Sequence, residues 1–159
     1  MVSSEITEGL SSCELFTLLG EEEIKMLIKS LATDCEFKIY KAGDNIFEQG
    51  EHSTKVYVIA DGQALLQRSV NLGDRTGIRP LGLLGKGRVM GWSSLLYGPH
   101  YLTATASCQK PTQVISIEGY SLRYILEQQT QVGYKVMNRL AFMLGERLRM
   151  AYNTMEAHL

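Results

Sequence analysis

The residues best placed to do chemistry lie between Lys86 and Cys108. A short apolar run, Val89-Met90, meets Gly91, and Trp92-Ser93-Ser94-Leu95-Leu96 then reads as a one-turn helix that stops at a second turn, Gly98-Pro99. A strand that bends at a glycine into a helix start points several backbone N–H groups at one spot, which suits an anion. Gly91, Trp92, Ser93 and Ser94 are therefore candidate ligand-binding residues. Ser93 and Ser94 also fit plain helix capping, which needs the same side chains. The alternating strand that follows, Thr103-Ala104-Thr105-Ala106, puts Thr103, Thr105 and Ser107 on one face, either lining a pocket or facing water.

Other chemistries find less support. His52, His100 and His158 are scattered and form no His-x-His pair. A cupin-type enzyme would need imidazole and carboxylate ligands grouped on strands around open metal positions. His100, on its Gly-Pro turn, reads as a surface residue or as a lone haem or metal ligand. Cys13, Cys35 and Cys108 are odd in number and far apart, which fits neither a zinc set nor a disulfide framework. They read as reduced thiols of a cytoplasmic protein, with Cys108 packed inside. No Ser–His–Asp or Cys–His arrangement has local support, so the chain is expected not to be an enzyme and to need no cofactor or metal.

Composition narrows the partners. The 159 residues are 45% hydrophobic and 21% charged, ordinary for a globular domain, with a net charge of −1. That balance gives no global electrostatic case for nucleic acid or an anionic membrane surface. No apolar run approaches the ~20 residues of a membrane span, and Met1 to Gly9 is polar and acidic, without the apolar core of a signal peptide.

These residues must be positioned by the rest of the chain. Residues 1–13 read as a lead-in, loose through about residue 11. Glu21-Glu22-Glu23 opens a helix with Ile24, Leu27, Ile28 and Leu31 on one face; the three acids suit the positive end of the helix dipole. From Glu36 the period shortens. Runs around Phe37–Ile39, Ile46-Phe47, Val56–Ile59, Ala64–Leu66, Ile78, Leu81–Leu84, Val89-Met90, Tyr101–Cys108 and Gln113–Ile117 are broken by glycine-rich turns. Asp61-Gly62 between two apolar runs signals a hairpin. Many short strands at close spacing imply an all-β roll. Leu122, Ile125 and Leu126 mark a short helix, and Thr130 reads as the N-cap of a long one reaching about Ala157. Met137, Leu140, Leu144, Leu148, Ala151 and Met155 recur on that helix at spacings of 3, 4, 4, 3 and 4, widened by Val136 and Met143. The Met-rich stripe predicts a homodimer seam through Met137, Leu140, Leu144, Leu148 and Ala151.

Three stretches together resemble the cyclic-nucleotide-binding domain of the catabolite-activator/fumarate-nitrate-regulator (Crp/Fnr) type. They are Lys41-Ala42-Gly43-Asp44-Asn45-Ile46-Phe47-Glu48-Gln49-Gly50-Glu51, then Val56-Tyr57-Val58-Ile59-Ala60-Asp61-Gly62-Gln63-Ala64, then Leu84-Gly85-Lys86-Gly87-Arg88-Val89-Met90-Gly91. The resemblance covers roughly residues 14–157. It implies a mainly β fold with flanking helices: over 14–129 an N-terminal helix, a jelly roll (double-stranded β-helix) and a short helix, then a long dimerising helix over 130–159.

The departures from the family pattern fall in the phosphate-binding cassette. Where nucleotide-binding members carry a Glu for the ribose and, ten positions on, an Arg for the cyclic phosphate, this chain has Trp92 and Leu102. Leu102 thereby joins the candidate site, and Trp92 either stacks on a planar ligand or fills the nucleotide's volume. Each lost charge-assisted hydrogen bond is worth about 1.5–3 kcal/mol, so both together weaken cyclic AMP by roughly 10²–10⁴-fold. The expectation is a regulatory, small-molecule-sensing module that does not bind cyclic AMP or cyclic GMP tightly. The alternative is a working cyclic-nucleotide domain that brings in Arg68, Arg79 or Arg88, and a cupin-like enzyme is the remote one. The family's regulators carry a winged-helix DNA reader after the long helix, where this sequence stops at Leu159, so direct nucleic-acid binding is not expected.

Overall fold

The computed structural model describes residues 3–98 and 100–157. The turn proline Pro99 and the histidine His158 lie outside the described residues. Eight strands form two four-stranded antiparallel sheets. The first has the order β1 (Cys35–Tyr40), β8 (Thr112–Glu118), β3 (Lys55–Asp61) and β6 (Val89–Met90). The second runs β2 (Asn45–Phe47), β7 (Thr105–Cys108), β4 (Ala64–Asn71) and β5 (Thr76–Leu84). The sheets face each other across Phe47, Ile59, Met90, Ala106, Cys108 and Val114. Strand alternation sends Val56, Val58, Ile115 and Ile117 to the other side of the first sheet, where the helices cover them. The result is the expected jelly roll with helices layered on one side.

Those helices are α1 (Ser4–Ser11), α2 (Glu21–Leu31), α3 (Gly119–Gln128) and α4 (Thr130–Ala157). The expected loose lead-in is wrong: α1 is capped by Ser3, whose hydroxyl accepts the Ile6 N–H at 3.3 Å, and it buries Ile6, Gly9 and Leu10. A side chain at Gly9 would collide with Ile115, so the glycine lets the helix pack closely on the sheet. Glu23 does more than solvate α2: its carboxylate accepts the Gly20 N–H at 2.9 Å and meets Lys135 of α4 at 2.7 Å. Both contacts hold its carboxyl below the usual range, the lysine contributing most.

Two strand-level expectations and one helix cap need correction. Asp61-Gly62 closes no hairpin, because β3 and β4 belong to different sheets. It is a corner between sheets, tied by Thr112, whose hydroxyl accepts the Gln63 N–H at 3.1 Å. The strand expected from Tyr101 begins at Thr105; Tyr101 makes only an isolated bridge to His52, and Leu102 to Ala104 run irregularly across the mouth of the roll. Finally, Thr130 is the first residue inside α4 rather than its cap, since the Gly133 N–H already bonds the Gln129 carbonyl at 2.8 Å.

Candidate functional site

The cassette is built on Gly91. Its φ is +69°, and a Cβ there would stand 2.8 Å from the Lys55 carbonyl and 3.1 Å from the Tyr57 ring. Only glycine relieves both constraints. The chain then makes a four-residue 3-10 turn, Trp92–Leu95. The structure separates the two serines. Ser94 is buried and its hydroxyl donates to the carbonyl of Lys55 at 2.9 Å and, more weakly, of Ser53 at 3.3 Å. It is a structural tie and does not face the cavity, so it leaves the candidate set. Ser93 does face it.

Gly91, Trp92, Ser93, Leu102 and Thr103 surround one cavity, together with Phe47, Met90 and Arg147, of only about 90 Å³. Small-molecule clefts ordinarily span ~300–1,000 Å³. Leu102 is 6% exposed and part of the core between the sheets. Its backbone is pinned on both sides: the Leu102 N–H donates to the Glu51 carbonyl at 2.8 Å, and its own carbonyl accepts the Gly50 N–H at 2.7 Å. Thr103 is exposed and lines the cavity, whereas the Thr105 hydroxyl accepts the Gln49 N–H at 3.0 Å. The two thus divide into a lining residue and a structural one.

Each arginine has a definite place. Arg68 reaches over the mouth of the roll and donates to the Thr103 carbonyl at 2.7 Å. Arg88 Nε meets Glu14 Oε2 at 3.1 Å, and the same oxygen accepts the Val89 N–H at 2.6 Å. Sequence reasoning missed the arginine that lines the cassette cavity, Arg147 on α4. Its Nη2 donates to the Val89 carbonyl at 2.7 Å and lies 3.9 Å from Glu14, while its Nε is buried with no hydrogen-bond partner among the described residues. Burial depresses its affinity for the proton, nearby Glu14 restores part of it, and Arg88 opposes it. The signal was present: Val136, Leu140, Met143 and Arg147 fall at spacings of 4, 3 and 4, so a charge sits in the buried stripe.

The final helix carries two faces rather than one. Val132, Val136, Leu140 and Met143 pack into the chain's own core. Leu140, expected on a dimer seam, is 2% exposed and belongs to that core. The outward face carries Tyr134, Met137, Ala141, Leu144, Leu148, Ala151 and Met155 at alternating spacings of 3 and 4. Of these only Leu144 is partly buried. That spacing is the heptad pattern of coiled-coil helices.

The His52 and His100 rings lie with centroids 6.4 Å apart, tilted at 54° to each other. Among the described residues no three His, Cys, Asp or Glu side chains are grouped so as to hold a metal ion. Among the described residues no helix is long and apolar enough to cross a membrane.

With this geometry in hand, comparison with known proteins is informative. The cyclic nucleotide-binding domain family matches residues 37–129, more than half the chain. No curated protein matches the sequence. Among solved structures, the catabolite activator protein of Thermus thermophilus is 28% identical with a TM-score of 0.70; the match covers 91% of this chain but 62% of that one, so the chain spans less than two thirds of its length. A putative cyclic nucleotide-binding protein from Geobacter metallireducens GS-15 is 26% identical with a TM-score of 0.67, covering 93% of this chain and 99% of that one. The sensor domain of the transcriptional regulator DNR from Pseudomonas aeruginosa shares the fold at a TM-score of 0.70 and 18% identity, covering 88% of this chain and 89% of that one. The cavity bounded by a glycine-bent turn, the two facing sheets and the long final helix are thus parts of a known plan, and the chain belongs to the cyclic nucleotide-binding domain family, in its Crp/Fnr type.

Proposed function

We propose that this chain is the ligand-sensing part of a regulator, that it does not bind cyclic AMP or cyclic GMP tightly, and that it dimerises through the outward face of α4. The observation that carries the first part is the occupancy of the cassette: Trp92 and Leu102 stand where the ribose and phosphate anchors would be, around a cavity of about 90 Å³. A cyclic nucleotide there would lose two charge-assisted partners, one at the ribose and one at the phosphate, and Arg147 alone would be left beside the cavity to offset the phosphate's desolvation. The continuous seam from Tyr134 to Met155 supports the second part. The reading is of a binding module without catalysis, and with a net charge of −1 this stretch of chain is not itself a DNA reader.

Isothermal titration with cyclic AMP and cyclic GMP tests the reading. The expected result is a dissociation constant weaker than about 100 µM, about 10²-fold or more above micromolar binding. A submicromolar constant for either nucleotide would overturn it and favour a working cyclic-nucleotide domain whose phosphate is held by Arg147, which lines the same cavity.

A further inference from the structure

A second, larger depression adjoins the cassette. It is a trough of about 560 Å³ between β5 and the last turns of α4, and it shares Trp92, Thr103 and Arg147 with the small cavity. Leu66, Leu81, Leu83, Met150 and Met155 give it apolar walls. Its charged lining is of one sign: Arg79, Arg88 and Arg147, with no carboxylate among the described lining residues. Arg68 lies directly across the strand pair from Arg79 and reaches the trough's Thr103. Like charges facing each other across a strand pair are destabilising unless something compensates them. The only ion-pair partner of these four arginines among the described residues is Glu14, shared by Arg88 and, at 3.9 Å, Arg147. Three positive charges are thus left over around an apolar trough, and one of them has a buried Nε with no acceptor. A buried N–H of this kind costs free energy until an acceptor is supplied.

Resting on the reading of this chain as a ligand sensor, we infer that the trough binds an amphipathic monocarboxylate, its apolar body along Leu81, Leu83 and Met155 and its carboxylate on Arg147. The Nη2 of Arg147 is committed to the Val89 carbonyl and its Nε is closed off from solvent, so the carboxylate meets the remaining part of the guanidinium that lines the trough. Arg79, which lines the same trough and has no ion-pair partner among the described residues, adds a second positive charge. The volume falls within the ordinary range for a ligand cleft. A nucleotide fits this lining poorly, because its sugar and base edges would meet leucine and methionine where they need hydrogen-bond partners.

Trp92 is the chain's single tryptophan and lies in the trough wall, so its emission reports occupancy directly. The probes are sodium decanoate, 1-decanol with a similar body and no charge, and sodium acetate with the charge and no body. Decanoate is expected to shift Trp92 emission saturably, acetate to do nothing, and decanol to bind at least about tenfold more weakly than decanoate, one charge-assisted hydrogen bond's worth. Arg147→Gln is expected to weaken decanoate by about tenfold or more while decanol is unaffected; should that variant fail to fold by circular dichroism, Arg79→Gln carries the same test with a smaller loss. Failure of decanoate to bind, equal binding of decanol, or decanoate affinity indifferent to the arginine substitution overturns the inference. Tight cyclic AMP binding in the separate titration overturns instead the reading on which it rests.

Discussion

The two faces of α4 make a prediction that separates dimerisation from folding. Leu148 is 52% exposed in the single chain and Leu140 is 2% exposed, yet both belong to the same apolar series in the sequence. Leu148→Glu leaves the folded monomer almost untouched, within about 0.5 kcal/mol, as surface substitutions do. In a two-fold symmetric dimer the change counts twice. About half of each leucine's burial remains to be gained at the seam, roughly 1 kcal/mol per protomer. Two carboxylates brought face to face in that seam add several kcal/mol of desolvation and repulsion. The sum is about 5 kcal/mol, or some 10³–10⁴-fold in the dimer dissociation constant. Leu140→Ala, by contrast, opens a cavity in the core and costs ~2–5 kcal/mol of folding stability. Sedimentation velocity over a concentration series reads the first effect and urea unfolding the second. An unaltered chain that is monomeric at tens of micromolar, or a Leu148→Glu variant that stays dimeric, refutes the seam. So does Leu140→Ala if it splits the dimer without moving the unfolding midpoint.

Trp92→Glu with Leu102→Arg together is expected to raise cyclic AMP affinity, read by titration, while either alone does little because each leaves a buried charge unpaired. The price is stability: Leu102 leaves the core between the sheets, so the double variant should unfold about 2–5 kcal/mol earlier in urea and recover part of that with saturating nucleotide. Gly91→Ala adds a methyl against the Lys55 carbonyl at a positive φ and should cost roughly 2–3 kcal/mol of stability, seen as a lower urea midpoint. Cys13 is fully buried and burial pushes its thiol up to about 12, so at pH 8 only about 10⁻⁴ of it is thiolate, the reactive form. A thiol-disulfide reagent should therefore modify Cys13 only as fast as the chain opens, and before that the half-buried Cys35, whose thiol is raised to about 11.

Much of the fold was legible because period and punctuation agreed. Leu27, Ile28 and Leu31 are buried as their helical spacing requires, and the alternation in Val56–Ile59 and Gln113–Ile117 divides residues between the two faces of one sheet. The misreadings share a cause: a local signal was overridden by a partner far along the chain. Asp61-Gly62 has the chemistry of a hairpin turn, but Thr112 claims the corner. The polar lead-in reads as loose until Ile115 and Ala60 are seen against Gly9. Leu102 to Ala104 alternate like a strand, yet the Gly50 and Glu51 backbone holds Leu102 in place of a ladder partner.

The site itself was half legible, and the missing half follows from the same physics. Gly91, Trp92, Ser93 and Thr103 are contiguous enough to be seen in sequence, whereas the cavity's guanidinium comes from Arg147, across the fold on a helix that was read for its hydrophobic stripe alone. A stripe of mixed 3 and 4 spacings can serve two surfaces, and the crossing with α3 at Gly133, where any side chain would strike the Leu126 backbone, together with the packing of α4 on the Glu14–Phe16 turn, decides which residues turn inward. With that packing set, Leu140 and Arg147 turn toward the chain's own interior and Ala141 and Leu148 to the exposed face. Ala151 and Met155 fall on both counts, walling the trough and continuing the heptad. A ligand that presses on those two residues and a partner helix that packs on them share contacts. By linkage, whatever the ligand does to dimer affinity, the dimer does by the same factor to ligand affinity.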